Sequence, residues 1–150
     1  MSLRFRYQLF PGRGVNPVRP RPVIPVTLVG ASGFSLALDA IVDPAADDTV
    51  FPDAVATALG IDLTGATSGM GAGAGLVPVP LRYADIKLRL FDLLGGSNEQ
   101  REWTARVGFT AVKFRHPLLG FAGFLQFFDA LFLGERQELE LRVNNLYPGT

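Results

Sequence analysis

Hydrophobic and polar positions alternate with a period of two along several stretches of this chain, which marks strands with one face turned to a core. Phe5, Tyr7 and Leu9 alternate with Arg4, Arg6 and Gln8, predicting a strand over residues 4–9. Residues 23–29 read as a second strand, and Pro25 places it at an edge or near its start because proline has no N–H for a ladder. Gly30-Ala31-Ser32-Gly33 is a turn, and residues 34–42 form the strand that follows, closing a hairpin. That strand becomes apolar on both faces towards its end, so it runs into the interior. Ile86, Leu88 and Leu90 alternate with Asp85, Lys87 and Arg89. Trp103, Ala105, Val107 and Phe109 alternate with Thr104, Arg106 and Gly108, and Leu139, Leu141 and Val143 with Glu138, Glu140 and Arg142.

Turn and helix signals separate these runs. Residues 11–22 hold Pro11, Pro17, Pro20 and Pro22 with Gly12 and Gly14, and read as an extended loop. Pro52-Asp53 opens a short helix over residues 54–59, closed by Gly60. Residues 121–128 are long enough for a second short helix after Leu118-Leu119-Gly120. Glycines at 65, 69, 71, 73 and 75 make residues 64–75 a Gly-rich loop, best understood as a mobile hairpin tip. Together the pattern predicts about eight strands, two short helices and an all-β barrel or sandwich, with no linker dividing the chain.

Composition then removes several classes of function. Lys+Arg and Asp+Glu are both 14 in 150 residues, so the chain is neither a generally basic nucleic-acid binder nor an acidic tail. Arg4, Arg6, Arg13, Arg19 and Arg21 precede any acid, but the chain uses arginine over lysine throughout, so they read as an Arg-rich surface. Without cysteine there is no disulfide, thiol nucleophile or thiolate zinc site. The single histidine, His116, excludes a multi-histidine metal site and has no acid or serine beside it, so it reads as a loop histidine. Gly69-Met70-Gly71-Ala72-Gly73-Ala74 fits the spacing of a dinucleotide fingerprint, but no apolar strand precedes it and Pro78 and Pro80 stand where the helix belongs. No metal and no cofactor are expected.

The most membrane-like stretch, residues 117–134, contains Gln126 and Asp129 and reads as a core segment. Residues 1–7 carry charge with no apolar run behind them, so no signal peptide and a cytoplasmic location are expected. Trp103 reads as core, and Phe109, Phe114, Phe121, Phe124, Phe127, Phe128 and Phe132 as core and dimer contacts. The charged share is 19%, below the roughly 25% of ordinary domains. A partner covering part of the surface is expected, most simply a second copy.

The segment with the most chemistry is Ile41-Val42-Asp43-Pro44-Ala45-Ala46-Asp47-Asp48-Thr49-Val50, in which a carboxylate sits at the end of an apolar strand. Two carboxyl groups facing each other cannot both ionise comfortably and share one proton. One then acts as base on a water while the other donates to a carbonyl oxygen. One chain of this size offers one such group, and a twofold axis would supply the second.

That segment resembles the active-site loop of retropepsin-like aspartic proteases: two apolar residues, Asp-[Ser/Thr]-Gly-Ala-Asp, often followed by Asp-Thr-Val. Leu118-Leu119-Gly120 is similar to the family's second marker, and Ser68 to Leu76 to its Gly-rich flap. The resemblance covers residues 22–143, after an N-terminal strand and Pro/Arg-rich loop over 1–21 and before a tail over 144–150. It implies a single-lobe acid-protease fold that dimerises, with residues 4–9 and 138–143 at the interface. It also implies that Asp43 is catalytic, and that Ala45, Ala46, Asp47, Asp48, Gly69, Gly71 and Gly73 hold an extended peptide. The chain departs from the family at Pro44, which has neither hydroxyl nor N–H, at Ala45 in place of Gly, and at Phe121 where Arg often pairs with the acid matched by Asp47. These departures motivate an alternative, a catalytically degenerate homodimeric peptide- or protein-binding module. In an unrelated all-β fold, Asp43 would simply cap its own loop.

Overall fold

The computed structural model describes residues 2–72 and 78–150. Its elements in chain order are β1 (Leu3–Arg6), β2 (Gln8–Pro11), β3 (Val18–Arg21), β4 (Val23–Val29), β5 (Ser35–Val42), β6 (Val50–Pro52), α1 (Asp53–Ala58), β7 (Ser68–Ala72), β8 (Pro78–Phe91), β9 (Gln100–Thr110), β10 (Leu118–Leu119), β11 (Phe128–Leu133) and β12 (Glu138–Val143). The chain is predominantly β. The β4–β5 hairpin pairs Val23 with Ile41 through Val29 with Ser35, as the two runs and the turn between them predict. Pro25 precedes the stretch of β4 that pairs with β8, so its missing N–H is not needed there.

Six strands close on themselves. The order β4-β5-β10-β6-β9-β8 returns to β4 through Thr27↔Arg89, Leu28↔Leu88 and Val29↔Lys87. β7 hangs from the outer edge of β8. The ring holds the main core, where Val26, Leu28, Phe51, Leu88, Phe109, Leu119 and Phe124 are fully buried. Each such aliphatic or aromatic side chain is worth roughly 1.5–3 kcal/mol over its exposed state. Trp103 packs against Phe124 and Phe128, and its indole N–H donates to the Gly123 carbonyl at 3.0 Å.

β8 changes its buried face along its length. Ile86, Leu88 and Leu90 point into the main core, whereas Val79 and Leu81, in the opposite phase, join Val50 in a second apolar cluster. Tyr83, Phe114 and Leu118 pack against this smaller cluster, which forms one wall of the site described below.

Several sequence expectations change. Residues 4–9 are not one strand: the chain breaks at Tyr7, whose N–H donates to the Gln137 carbonyl, so β1 pairs with β12 while β2 pairs with β3. Residues 18–21 are a strand, not an extended loop, because Pro20 and the arginines sit in a two-stranded hairpin with free outer edges. No second helix forms over residues 121–128. Gly123 lies at φ +89°, its N–H is taken by the Gln126 side chain, and the segment is a series of turns. The run beyond it is β11, an extra strand paired with β12. Of the aromatic residues expected as core and dimer contacts, Phe121 and Phe132 are exposed. In the tail, the Asn144 N–H donates to the Phe127 carbonyl, Thr150 and Glu102 of β9 exchange backbone hydrogen bonds, and the Tyr147 hydroxyl donates to the Glu102 carbonyl.

α1 starts at Asp53, whose carboxylate meets Arg82 at 3.0 Å, and stops at Gly60 with φ +69°. No helix among the described residues is long and apolar enough to cross a membrane.

The β8–β9 turn carries an acid-sensitive latch. Burial pushes the Asp92 carboxyl up, but the Ser97 hydroxyl and the backbone N–H groups of Arg4, Gly95 and Ser97 outweigh it and hold the group down at about 2. A depressed carboxyl adds stability above its ordinary value of 3.8, and that stability disappears as pH falls towards 2. Melting temperature should therefore drop across this interval, and Asp92→Asn should flatten that part of the profile.

Candidate active site

The decisive local geometry is the insertion of β10 between β5 and β6. Leu118 and Leu119 run parallel to Ile41 and Val42, while Leu118 also lies antiparallel to Val50. The chain leaves β5 at Asp43, turns, and returns as β6 on the far side of β10. Residues 43–49 are then stitched to residues 119–122. The Asp43 N–H donates to Leu119 O at 3.0 Å, Phe121 N–H to Ala46 O at 2.9 Å, Ala122 N–H to Asp47 O at 2.8 Å and Thr49 N–H to Ala122 O at 3.1 Å.

Gly120 makes this approach feasible. A Cβ there would overlap the Asp48 carbonyl oxygen and stand 2.7 Å from that of Ala46. Glycine is required by space at this position, not by a left-handed backbone.

Asp43 is half-buried at the mouth of its loop, and its Oδ1 accepts the Ala45 N–H at 2.9 Å. The Ala46 N–H donates to the Asp43 carbonyl at 3.1 Å. The donor to the carboxylate therefore survives the change from Gly to Ala. Among the described residues only Asn98 and Gln137 combine a side chain with positive φ, so Ala45 carries no left-handed strain. Pro44 and Ala45 are exposed, Ala46 is buried, Asp47 is exposed and Asp48 is half-buried. Thr49 is fully buried, and its hydroxyl has no hydrogen-bond partner among the described residues.

Asp48 faces the β7–β8 hairpin. Burial pushes its carboxyl up, the Tyr83 hydroxyl at 3.5 Å pulls it back, and the neighbouring Asp47 charge adds to the rise. Tyr83 is raised in turn, by burial first and then by Asp48. The ion pairs among the described residues engage Asp53, Asp85, Glu99, Glu102, Glu138 and Glu140, and none engages Asp43, Asp47 or Asp48.

A small pocket, with room for about one water molecule, adjoins this loop. Ala46, Asp47, Asp48 and Val50 line it on one side, Gly71 comes from β7, Val79 and Leu81 from β8, and Phe114 and Leu118 lie behind. Gly71 is on the hairpin side, where a Cβ would stand 3.0 Å from Leu81 Cδ1 and 3.8 Å from Asp48 Oδ2. Gly69 pairs with Leu81 beside the Tyr83 ring, so residues 68–72 of the expected Gly-rich loop are a strand, β7, and the tip beyond them lies outside the described residues. Gly73 lies outside the described residues.

Comparison of the chain with protein-family models, curated proteins and solved structures finds no significant match.

The structure thus brings Ala46, Asp47, Asp48 and Gly71 to one pocket with Val50, Val79, Leu81, Phe114 and Leu118 as walls, and Tyr83 reaches Asp48 from beside it; Asp43 and Ala45 belong to the same loop but do not line the pocket. Alternation of Val79, Leu81 and Tyr83 with Pro78, Pro80 and Arg82 is the signal for these wall residues, but the two prolines disguise it as loop. His116 stands elsewhere, half-buried with its ring edge-on to Phe10 at 5.0 Å. Burial, then Arg115 and Arg21, hold its imidazole below the ordinary value. No group of three or more metal-ligating side chains occurs among the described residues.

Proposed function

We propose that this chain is a retropepsin-like aspartic endopeptidase that works as a homodimer. The observation that carries the reading is the stitching of the Asp43 loop to Leu119, Gly120, Phe121 and Ala122, which couples two markers 75 residues apart into one rigid unit under a Gly-rich hairpin. A carboxylate that merely caps its own turn needs only the Ala45 N–H. It needs neither the inserted β10 nor a glycine pressed against two carbonyl oxygens.

In this reading, two Asp43 carboxylates share one proton across the twofold axis and hold a water between them. The ionised carboxylate takes a proton from the water as its oxygen attacks the scissile carbonyl carbon. The other carboxyl gives its proton to the carbonyl oxygen. The gem-diol then collapses: a proton passes to the leaving nitrogen, the C–N bond breaks and a carboxylic acid and an amine leave. Extended substrate backbone adds to the hairpin and to the Asp47–Asp48 edge as a further strand. Exposed Phe121 beside the loop is apolar surface of the kind a second copy covers.

Pro44 favours the second reading, a peptide-binding homodimer without proteolysis, because it offers no hydroxyl to bond across the axis. Both readings need two chains. Light scattering across a concentration series should give the mass of a dimer; a monomer at every concentration, with and without peptide, removes the second Asp43 and with it the proteolytic reading.

A further inference from the structure

We infer that the β2–β3 hairpin docks this protein on an anionic lipid surface, with the apolar outer face of the hairpin entering the headgroup layer and the arginines around it meeting phosphate. None of the residues involved lines the pocket beside the Asp43 loop.

The two faces of the hairpin are unlike. Leu9 pairs with Pro20 and Pro11 with Val18, and these four residues form one exposed apolar face. Val15 extends the patch at the tip, where it is 95% exposed, beside 62% for Leu9 and 47% for Val18. The opposite face, with Gln8, Phe10, Arg19 and Arg21, is half-buried. The loop over residues 111–117 holds it: the Arg115 guanidinium sits over the Phe10 ring at 5.5 Å, and the His116 ring meets Phe10 edge-on. The ribbon is therefore fixed through its polar face and bare on its apolar one, the reverse of a strand that serves the core.

Charge decides what covers that face. Of the 14 lysines and arginines, seven hold an acid in an ion pair among the described residues. Of the other seven, Arg13, Arg19 and Arg21 stand on the hairpin and Lys113 and Arg115 on the loop beside it, while only Arg6 and Arg136 stand elsewhere. No acid precedes Asp39 in the chain. Behind burial, Arg115 and Arg21 both depress the His116 imidazole, so the two segments share one positive field, opposed there by Asp39. A second copy docked hairpin to hairpin would set these cations against their own twins. A polynucleotide would use the arginines and leave Leu9, Val15 and Val18 in water. A peptide strand adding to an edge would meet Pro11, Pro17, Pro20 and Pro22, which break the row of N–H donors. An anionic bilayer takes both halves: the acyl boundary covers the apolar tip and the phosphates meet the guanidinium groups. The hairpin lies in the surface and does not span it.

The test is co-sedimentation of the full chain with sucrose-loaded vesicles of phosphatidylcholine alone and of phosphatidylcholine mixed with phosphatidylserine. Binding should be at least about tenfold stronger on the anionic vesicles and should weaken as added salt screens it. Arg13→Gln should weaken it by about fivefold. Val15→Asp, at an open position outside the core, should abolish binding with the melting transition unchanged, while Leu146→Asp, at a position 68% exposed in the tail, should not. Val15→Trp should add fluorescence that brominated acyl chains quench, which reports entry of the tip and not adsorption alone. No binding to the anionic vesicles, or binding that Val15→Asp leaves intact, overturns the inference. Retention of polyuridylate or polyglutamate without vesicle binding, or a dimer that Val15→Asp dissociates without vesicle binding, assigns the face to that partner and overturns it equally.

Discussion

Asp43→Asn is expected to lower kcat/KM on an unfolded protein substrate, between about pH 4 and 6, by at least about a thousandfold. Asparagine keeps the size of the side chain and can still accept the Ala45 N–H through its amide oxygen, so the loop should fold as before. What it loses is basicity. An amide takes no proton from water, and in a dimer both carboxylates vanish together, so neither the base nor the acid remains. Extended peptides should still bind the variant, because the walls from β6, β8 and the hairpin are unchanged. The measurement is peptide hydrolysis followed by mass spectrometry, beside binding of the same peptide. Equal turnover by both proteins would show that any cleavage comes from another source. Equal inertness on broad peptide sets would leave the binding module as the better account.

Gly120→Ala should be the most damaging single-methyl change in the described chain's site region, costing about 2–3 kcal/mol of stability. The new Cβ would overlap the Asp48 carbonyl oxygen and crowd that of Ala46, and both are backbone atoms that cannot rotate away. To admit it, the 43–49 and 119–122 segments must separate, which strains the bonds from Phe121 to Ala46 and from Ala122 to Asp47. For a chain of this length the melting temperature should fall by roughly 5–10 °C. Activity should fall further than stability accounts for, because the same separation displaces Asp43 from its hydrogen bond to Leu119. Gly134, with open space around its Cβ position, is the control: Gly134→Ala should leave both quantities nearly unchanged. A fully stable, fully active Gly120→Ala protein would show that the close approach does not matter.

These two positions also show what the sequence could and could not reveal. Val23–Val29 and Ser35–Val42 are legible because each is a short, mostly apolar run and a Gly-containing turn joins them. α1 was legible from Asp53 and Gly60. β11 was not, because Phe-Asp-Ala-Leu-Phe-Leu is apolar at both periods and follows a run that looks helical until Gly123 stops it. The break at Tyr7 is likewise a tertiary matter: the alternation of residues 4–9 continues unbroken while their partners change from β12 to β3.

In the site, Asp43, Ala45, Ala46, Asp47 and Asp48 were legible because one continuous segment carries them. The contribution of Tyr83 and Phe114 depends on the change of buried face along β8 and on a loop approaching from residues 111–117, and no local pattern encodes either. Ala45 illustrates the converse. Its identity alone raises the prospect of strain, and only the backbone, with φ outside the left-handed region, removes it.

The most direct test is a crystal structure of the protein with a reduced-bond peptide in the cleft. The account predicts two copies about a twofold axis, with the two Asp43 carboxylates within hydrogen-bond distance of each other or of one shared water, and the peptide backbone paired to the β7–β8 hairpin. Two Asp43 side chains held far apart by the Pro44 turns, or a peptide bound away from them, would contradict it.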